Sequence, residues 1–186
     1  MITQNSKIEI VSGSVLEQDV DAVVNAANTA MQGGSGIDGV IHRAAGKNLL
    51  VELRKVAPQG AKTGAAVLTK GHNLSQPYIL HVAGPVWKGG GAKEAEKLAL
   101  SYRSCLEKAD AKGLTSIAFC SISTGVYGYP LAQAAPIALS TANEFLDTHP
   151  ETSLERVVFA MFQKPELLAF QKAWKELGSA AANEDA

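Results

Sequence analysis

Two hydrophobic periodicities trade places along the chain. Short alternating or continuous apolar runs read as strands, and apolar positions three and four apart read as amphipathic helices. Lys7–Ser12 alternates and predicts a strand that Gly13-Ser14 interrupts. Asp21-Ala-Val-Val24 opens a second strand that delivers Asn25, and a helix is predicted from about Gly36 to Ala45, with Leu49, Leu50 and Leu53 extending its apolar face beyond Gly46. After the turn-rich loop Pro58–Gly64 come two short strands, Ala65–Thr69 and Tyr78–Val82, and then a flexible connection at Gly89-Gly-Gly91. Ala95, Leu98, Tyr102, Cys105, Leu106 and Ala109 mark a helix over Lys93–Lys112, stopped by Gly113. Ser116–Ser121 is a strand of the buried type that empties into Ser123–Pro130. A helix over Leu131–Thr148, a strand over Arg156–Phe162 and a helix over Pro165–Leu177 complete the pattern. Residues 1–178 form one domain on this reading, and Ser179–Ala186 is expected to be a disordered tail.

Strands and helices alternate with no internal repeat and no dividing linker. That pattern predicts an α/β sandwich, with helices on both faces of a largely parallel sheet. In such sheets ligands sit beyond the carboxyl ends of the strands. Two glycine-rich loops leave such ends, after Val24 and after Ser121, so they are expected to converge on one site.

Composition narrows the function classes. Seventeen basic residues against eighteen acidic ones give a net charge of −1, which implies neither a nucleic-acid-binding stripe nor a membrane-binding face. No apolar run is long enough for a membrane span, and the N-terminus lacks the pattern of a signal peptide, so the cytoplasm is the expected location. Cys105 and Cys120 lie in apolar surroundings and read as buried thiols rather than a disulfide or metal site.

The chemistry concentrates between Val23 and Gly46. Strand, glycine-rich loop and helix follow one another there, an order that aims backbone N–H groups and a helix N-terminus at an anion. Asn25, Asn28, Asp38 and His42 are packed into the same passage. The asparagines suit ribose hydroxyls, although loop capping uses the same amides. A carboxylate at a helix N-terminus meets the macrodipole favourably, yet beside a bound diphosphate it is repelled. Asp38 therefore makes better sense aimed past the phosphates, at sugar hydroxyls or an attacking water. His42 lies one turn later on the same face, where it can orient Asp38, contact a ligand, or serve as a half-buried helix histidine. The second loop, Ser121–Pro130, brackets Val126-Tyr127 between Gly125 and Gly128 and repeats the phosphate-cradling logic. There is no P-loop, no dinucleotide fingerprint and no nucleophile elbow. No Cys/His pair has zinc spacing, so neither a metal nor a cofactor is expected.

These segments resemble a macrodomain, the ADP-ribose-binding fold, and in particular its hydrolytic branch. The resemblance rests on Val24-Asn-Ala-Ala-Asn28, Gly33–Gly39 with Ile41–Gly46, His81-Val-Ala-Gly-Pro85 and Ser121–Pro130, in order, within a match from about Ile8 to Phe170. It implies a three-layer α/β/α sandwich around a mixed six-stranded sheet, with ADP-ribose in a cleft at the strand ends. By that similarity Gly33, Gly34, Ser35, Gly36 and Ile37, with Ser123, Thr124, Gly125, Val126, Tyr127 and Gly128, would hold the diphosphate. Asn25, Asn28 and Asp38 would surround the distal ribose, Tyr127 would pack on it, and Phe162 would stack on adenine. Asp38, Asn28 and His42 match positions associated with turnover in the hydrolytic branch.

The chain departs from the family pattern twice. Ser14 stands where macrodomains usually carry the aspartate that accepts a hydrogen bond from the adenine amino group, a charge-assisted bond worth ~1.5–3 kcal/mol. Ser35 replaces a glycine in the first loop, where its Cβ is expected to narrow the cleft. The resemblance implies a monomeric, metal-independent hydrolase that removes mono-ADP-ribose from acidic side chains of proteins, with deacetylation of O-acetyl-ADP-ribose as a companion reaction. Its rivals are a reader that binds ADP-ribose without cleaving it, and a cleft that has drifted toward another phosphorylated ribose or nucleotide.

Overall fold

The computed structural model describes residues 4–184. Its strands are β1 (Ile8–Ser12), β2 (Ala22–Ala27), β3 (Ala66–Lys70), β4 (Tyr78–Ala83), β5 (Ser116–Phe119) and β6 (Arg156–Met161). They form one six-stranded sheet in the order β1-β6-β5-β2-β4-β3. Every pairing is parallel except that of β3 with β4, so the mixed sheet implied by the family resemblance is what the chain forms.

Strand periodicity sorts the side chains into two cores. Val23, Ile79, Ala118 and Val158 point to one face and pack with Ile41, Leu49 and Leu53 of α1 (Gly36–Ala45) and α2 (Asn48–Val56). Their neighbours Val24, Leu80, Ile117, Phe119, Val157 and Phe159 point to the other face. There they meet α3 (Glu94–Ala111), α4 (Leu131–Thr148) and α5 (Lys164–Glu184). This is a three-layer α/β/α sandwich. Phe119 stacks on Phe159 at 5.4 Å between ring centres, and burying each such ring contributes ~1.5–3 kcal/mol to the middle of the sheet.

Three expectations need correcting. Leu49 and Leu53 lie on α2, a separate helix, because Gly46 adopts φ +84° and ends α1. β2 runs on to Ala27, which places Asn25 inside the strand rather than at its end. The tail expected from Ser179 onward is helical as far as Glu184, since Ala180-Ala-Ala182 is a run of strong helix formers. Residues 185–186 lie outside the described part.

Candidate functional site

The five mutually parallel strands all end at one edge of the sheet, and two adjoining cavities open there. The first, about 160 Å³, is lined by Ala26, Ala27, Asn28, Gly34–Asp38, Gly84, Ser123, Val126 and Tyr127. The second, about 490 Å³, is lined among others by Ser14, Val15, Arg43, Cys120, Phe162 and Glu166. Gly36 and Ile37 line both, so the cavities form one trough. The two glycine-rich loops converge as the strand order requires.

Backbone donors are exposed to this trough. Ser35 stands at the N-cap of α1 but makes no capping hydrogen bond with its side chain, so the first-turn N–H groups remain for a ligand. Across the cleft, the loop after β5 is closed by Gly128 N–H to Gly125 O (3.0 Å) and Tyr129 N–H to Ser123 O (2.9 Å). Tyr102, fully buried on α3, pins the start of this loop by accepting from Ile122 N–H at 3.0 Å. Trp87 N–H donates to Tyr127 O at 2.9 Å and braces the loop's far side. The Gly89–Gly91 connection is itself organised: Glu94 accepts hydrogen bonds from the N–H groups of Lys88, Gly90 and Ala92.

Asp38 lies in the first turn of α1, buried at the floor of the first cavity. Its Oδ1 accepts from Asn25 Nδ2 at 2.7 Å and lies 3.4 Å from His42 Nε2. Its Oδ2 faces Gly34, where a Cβ would approach to 3.0 Å, and the same Cβ would lie 3.3 Å from Asn28 Nδ2. One carboxylate oxygen is thus held from behind while the other faces the glycine loop. Burial pushes the Asp38 carboxyl above its ordinary range, against the opposing pull of the Asn25 hydrogen bond and the His42 charge. A raised carboxyl is a stronger base once ionised.

Three buried polar atoms at this site have no hydrogen-bond partner among the described residues, Asn25 Oδ1 beside Asp38 and two more on residues that line the cavity. Asn28 donates to Gly33 O at 3.0 Å, which leaves its Oδ1 unpaired, and Ser123 Oγ is also unpaired. Ser123 holds a left-handed backbone (φ +68°), a conformation costing ~1–3 kcal/mol in a residue with a side chain. Buried polar atoms are nearly always satisfied, so an orphan acceptor and an orphan hydroxyl on residues lining one cavity mark a place for a polar ligand.

The sequence-derived candidates distribute as follows. Asn28, Gly34, Ser35, Gly36, Ile37, Asp38, Ser123, Val126 and Tyr127 line the first cavity, and Ser14 and Phe162 line the second. Gly33, Thr124, Gly125 and Gly128 do not line it. Gly33 packs on the His42 ring, and Thr124 donates to Ser121 Oγ at 2.6 Å, holding the loop. Asn25 was expected beside the ribose, but it is fully buried within β2, and its amide serves Asp38 and His81 instead. His42 likewise stands behind Asp38 rather than in the cavity. Ser35 has an extended backbone (φ −101°) and an exposed side chain at the rim, so its Cβ costs no strain. The Ser14 hydroxyl accepts from Leu16 N–H at 3.2 Å in a capping box with Glu17, so one of its lone pairs is used within the protein. Cys120 lines the second cavity, and burial pushes its thiol up to about 12, which disfavours the thiolate. His81, which adjoins Asn25, opened a family segment but was given no role in the site, and Thr69, which adjoins His81, was not singled out. Their signal was a polar residue at an inward position of a strand otherwise apolar.

An open α/β sheet with two glycine-rich loops meeting over a buried carboxylate defines a protein of the doubly covered α/β class with a cleft suited to a polar ligand. The comparisons give the particular family. The chain belongs to the Macro domain family, whose model matches residues 24–138. The Macro domain-containing protein of Chlorobaculum tepidum is 46% identical over 169 residues, covering 91% of this chain and 96% of that protein. The O-acetyl-ADP-ribose deacetylase of Cronobacter sakazakii is 42% identical over 170 residues, covering 90% and 93%. Among solved structures, the Oceanobacillus iheyensis macrodomain with ADP superposes with a TM-score of 0.85 at 39% identity, covering 95% of this chain and 94% of that one. The Trypanosoma brucei macrodomain in complex with ADP-ribose superposes at 0.82 with 44% identity, covering 89% and 68%.

Proposed function

We propose that this protein binds ADP-ribose and hydrolyses esters at its distal ribose, removing mono-ADP-ribose from acidic side chains of proteins and acetate from O-acetyl-ADP-ribose. The observation that carries this reading is the divided carboxylate of Asp38, one oxygen held by Asn25 and the other facing the cleft. The first turn of α1 and the loop 123–128 would hold the diphosphate, Asn28 Oδ1 would accept from a ribose hydroxyl, and Phe162 would cover the base in the second cavity. Relatives named O-acetyl-ADP-ribose deacetylase and macrodomain structures with ADP and ADP-ribose support the ligand and the class of reaction.

In the reaction, water adds its oxygen to the acyl carbon and the bond from that carbon to the ribose oxygen breaks. The carboxylic acid leaves, and the ribose hydroxyl recovers a proton. Asp38 orients this water and accepts its proton. Its raised pKa makes it a better base than an ordinary carboxylate, and general-base help of this kind is worth roughly 10²–10⁴-fold. A pure reader needs only to bind ADP-ribose, and equal binding of ground and transition states does not speed cleavage.

The test compares wild type with Asp38→Ala on a glutamate-linked mono-ADP-ribosylated protein, with ADP-ribose affinity measured in parallel. Release by wild type, with binding but no release by the variant, supports the hydrolase. Tight binding by wild type without release makes the protein a reader.

A further inference from the structure

We propose that His81 is a positioning residue for Asp38, held by Thr69 as the Nε2–H tautomer so that the Asn25 amide keeps its NH₂ group turned toward the carboxylate. The inference deepens the hydrolase reading and rests on it for the use made of Asp38.

The hydrogen bonds admit one consistent assignment. Asn25 Nδ2 can only donate, and it lies 2.7 Å from Asp38 Oδ1 and 3.0 Å from His81 Nδ1. His81 Nδ1 must therefore be the bare nitrogen, and the ring proton sits on Nε2. That N–H points at Thr69 Oγ1, 2.9 Å away, which is free to accept because its own hydrogen goes to Lys70 O at 3.1 Å. Asn25, His81 and Thr69 are all buried, so no water competes for these bonds.

The opposite arrangement is coupled to the charge on Asp38. With its proton on Nδ1, His81 would call for the Asn25 amide to turn over. Asn25 Oδ1 would then sit against Asp38 Oδ1, repelling a carboxylate and pairing only with a protonated acid. Thr69 selects the tautomer that favours ionised Asp38. The unpaired, buried Asn25 Oδ1 is what this selection leaves behind: the amide gives up its own acceptor bond to keep both donors engaged. Burial, and then the charge of His42, depress His81 to about 3, so the ring stays neutral while it does this. The titratable groups around Asp38 are His42 from α1 and, through Asn25, His81 from β4, and Tyr127 from the loop after β5 lines the same cavity.

The experiment uses the full chain with ¹⁵N-labelled histidine and ¹³C-labelled aspartate carboxyls, as wild type, Thr69→Val and Thr69→Ser. Wild type should show His81 protonated on Nε2. In Thr69→Val the tautomer should become mixed and the Asp38 carboxyl should titrate about one pH unit higher, a tenfold change in its ionisation constant. Thr69→Ser should restore both. In turnover, the acid limb of kcat should move up by the same interval in Thr69→Val, with KM and the high-pH plateau retained. An Nδ1–H tautomer in wild type overturns the proposal, as does a Thr69→Val chain with unmoved His81 and Asp38 spectra. These spectra decide the matter even for a protein that releases no ADP-ribose, a result that would sink the hydrolase reading alone.

Discussion

Asn25 and His81 stand directly opposite one another in the parallel pairing of β2 with β4, and their side chains meet at 3.0 Å on the face that carries α1. Both are fully buried, each the lone strongly polar residue of an otherwise apolar strand. A buried amide facing a buried imidazole is costly unless both are satisfied. Here the donors and ring nitrogens are paired by reaching past each other, to Asp38 on one side and Thr69 on the other, and Asn25 Oδ1 is left without a partner among the described residues. The sheet itself thus supports the carboxylate.

Folding should register the cost of the buried imidazole. His81 is depressed from 6.5 to about 3, so between those values the unfolded chain binds a proton that the native chain does not. Stability is therefore lost as pH falls from 6.5 toward 3, with His81 contributing a slope of about 1.4 kcal/mol per pH unit. Urea unfolding of wild type and His81→Gln at several pH values in this interval should show the variant's dependence shallower by about that amount. Equal slopes would mean that His81 protonates in the native state.

Gly34→Ala tests the open side of the carboxylate. The added Cβ would lie 3.0 Å from Asp38 Oδ2 and 3.3 Å from Asn28 Nδ2, so both must shift. Displacements of this kind in a reacting site cost up to ~10²-fold, while an exposed loop position has little effect on folding. Turnover of a mono-ADP-ribosylated protein should fall by about tenfold or more with the melting temperature nearly unchanged. An unaltered rate would place the attacking water elsewhere.

Much of this arrangement was legible in the sequence, because periodicity dictates which side of the sheet a residue faces and glycine-rich turns at strand ends dictate where the loops meet. Asp38 was found that way, and so was the convergence with Ser123–Tyr127. The roles of Asn25 and His42 were not separable from ligand contact, since an amide or imidazole near a cleft can face either way until packing chooses. Thr69 carried no motif signal, and His81 opened a family segment, His81–Pro85, that said nothing of its role. Their importance arises from register: His81 pairs with Val67 on β3, which leaves Thr69 as the diagonal neighbour whose hydroxyl reaches the ring. Glu94 shows the same limit. It turns a triple-glycine stretch into an ordered loop through bonds that sequence spacing does not announce.

Ser14 and Phe162 share the second cavity but should respond differently to truncation. The Ser14 hydroxyl caps Leu16, so Ser14→Ala should lower stability by about 1 kcal/mol and leave ADP-ribose affinity within a few-fold of wild type. Phe162 is 74% exposed and supports no core, so Phe162→Ala should leave stability intact. Its affinity for ADP-ribose should weaken by about 1–3 kcal/mol, the worth of stacking one base on an aromatic ring. Calorimetry and thermal melts of both variants separate the two effects. A large affinity loss in Ser14→Ala would make the serine a direct contact to the base.

Asp38 should be a residue whose removal stabilises the protein. Its folded pKa is raised above the ordinary 3.8, mainly by burial, so the native state is disfavoured when the group ionises. The sign follows from protons: between the unfolded and folded values the native chain binds the extra proton, so stability is greatest below 3.8 and is lost as pH rises through the folded value. Asp38→Asn, neutral and of the same size, avoids that loss. At pH 7 its unfolding free energy should exceed that of wild type by about 1 kcal/mol, the usual scale when a strained functional group is replaced. Well below pH 3.8 the gap should close, because wild-type Asp38 is then protonated in both states. Denaturant titrations at the two pH values test this directly. A variant less stable than wild type at pH 7 would mean that Asn25 and His42 more than offset the burial of the charge, and that the carboxylate is held for structure rather than strained for chemistry.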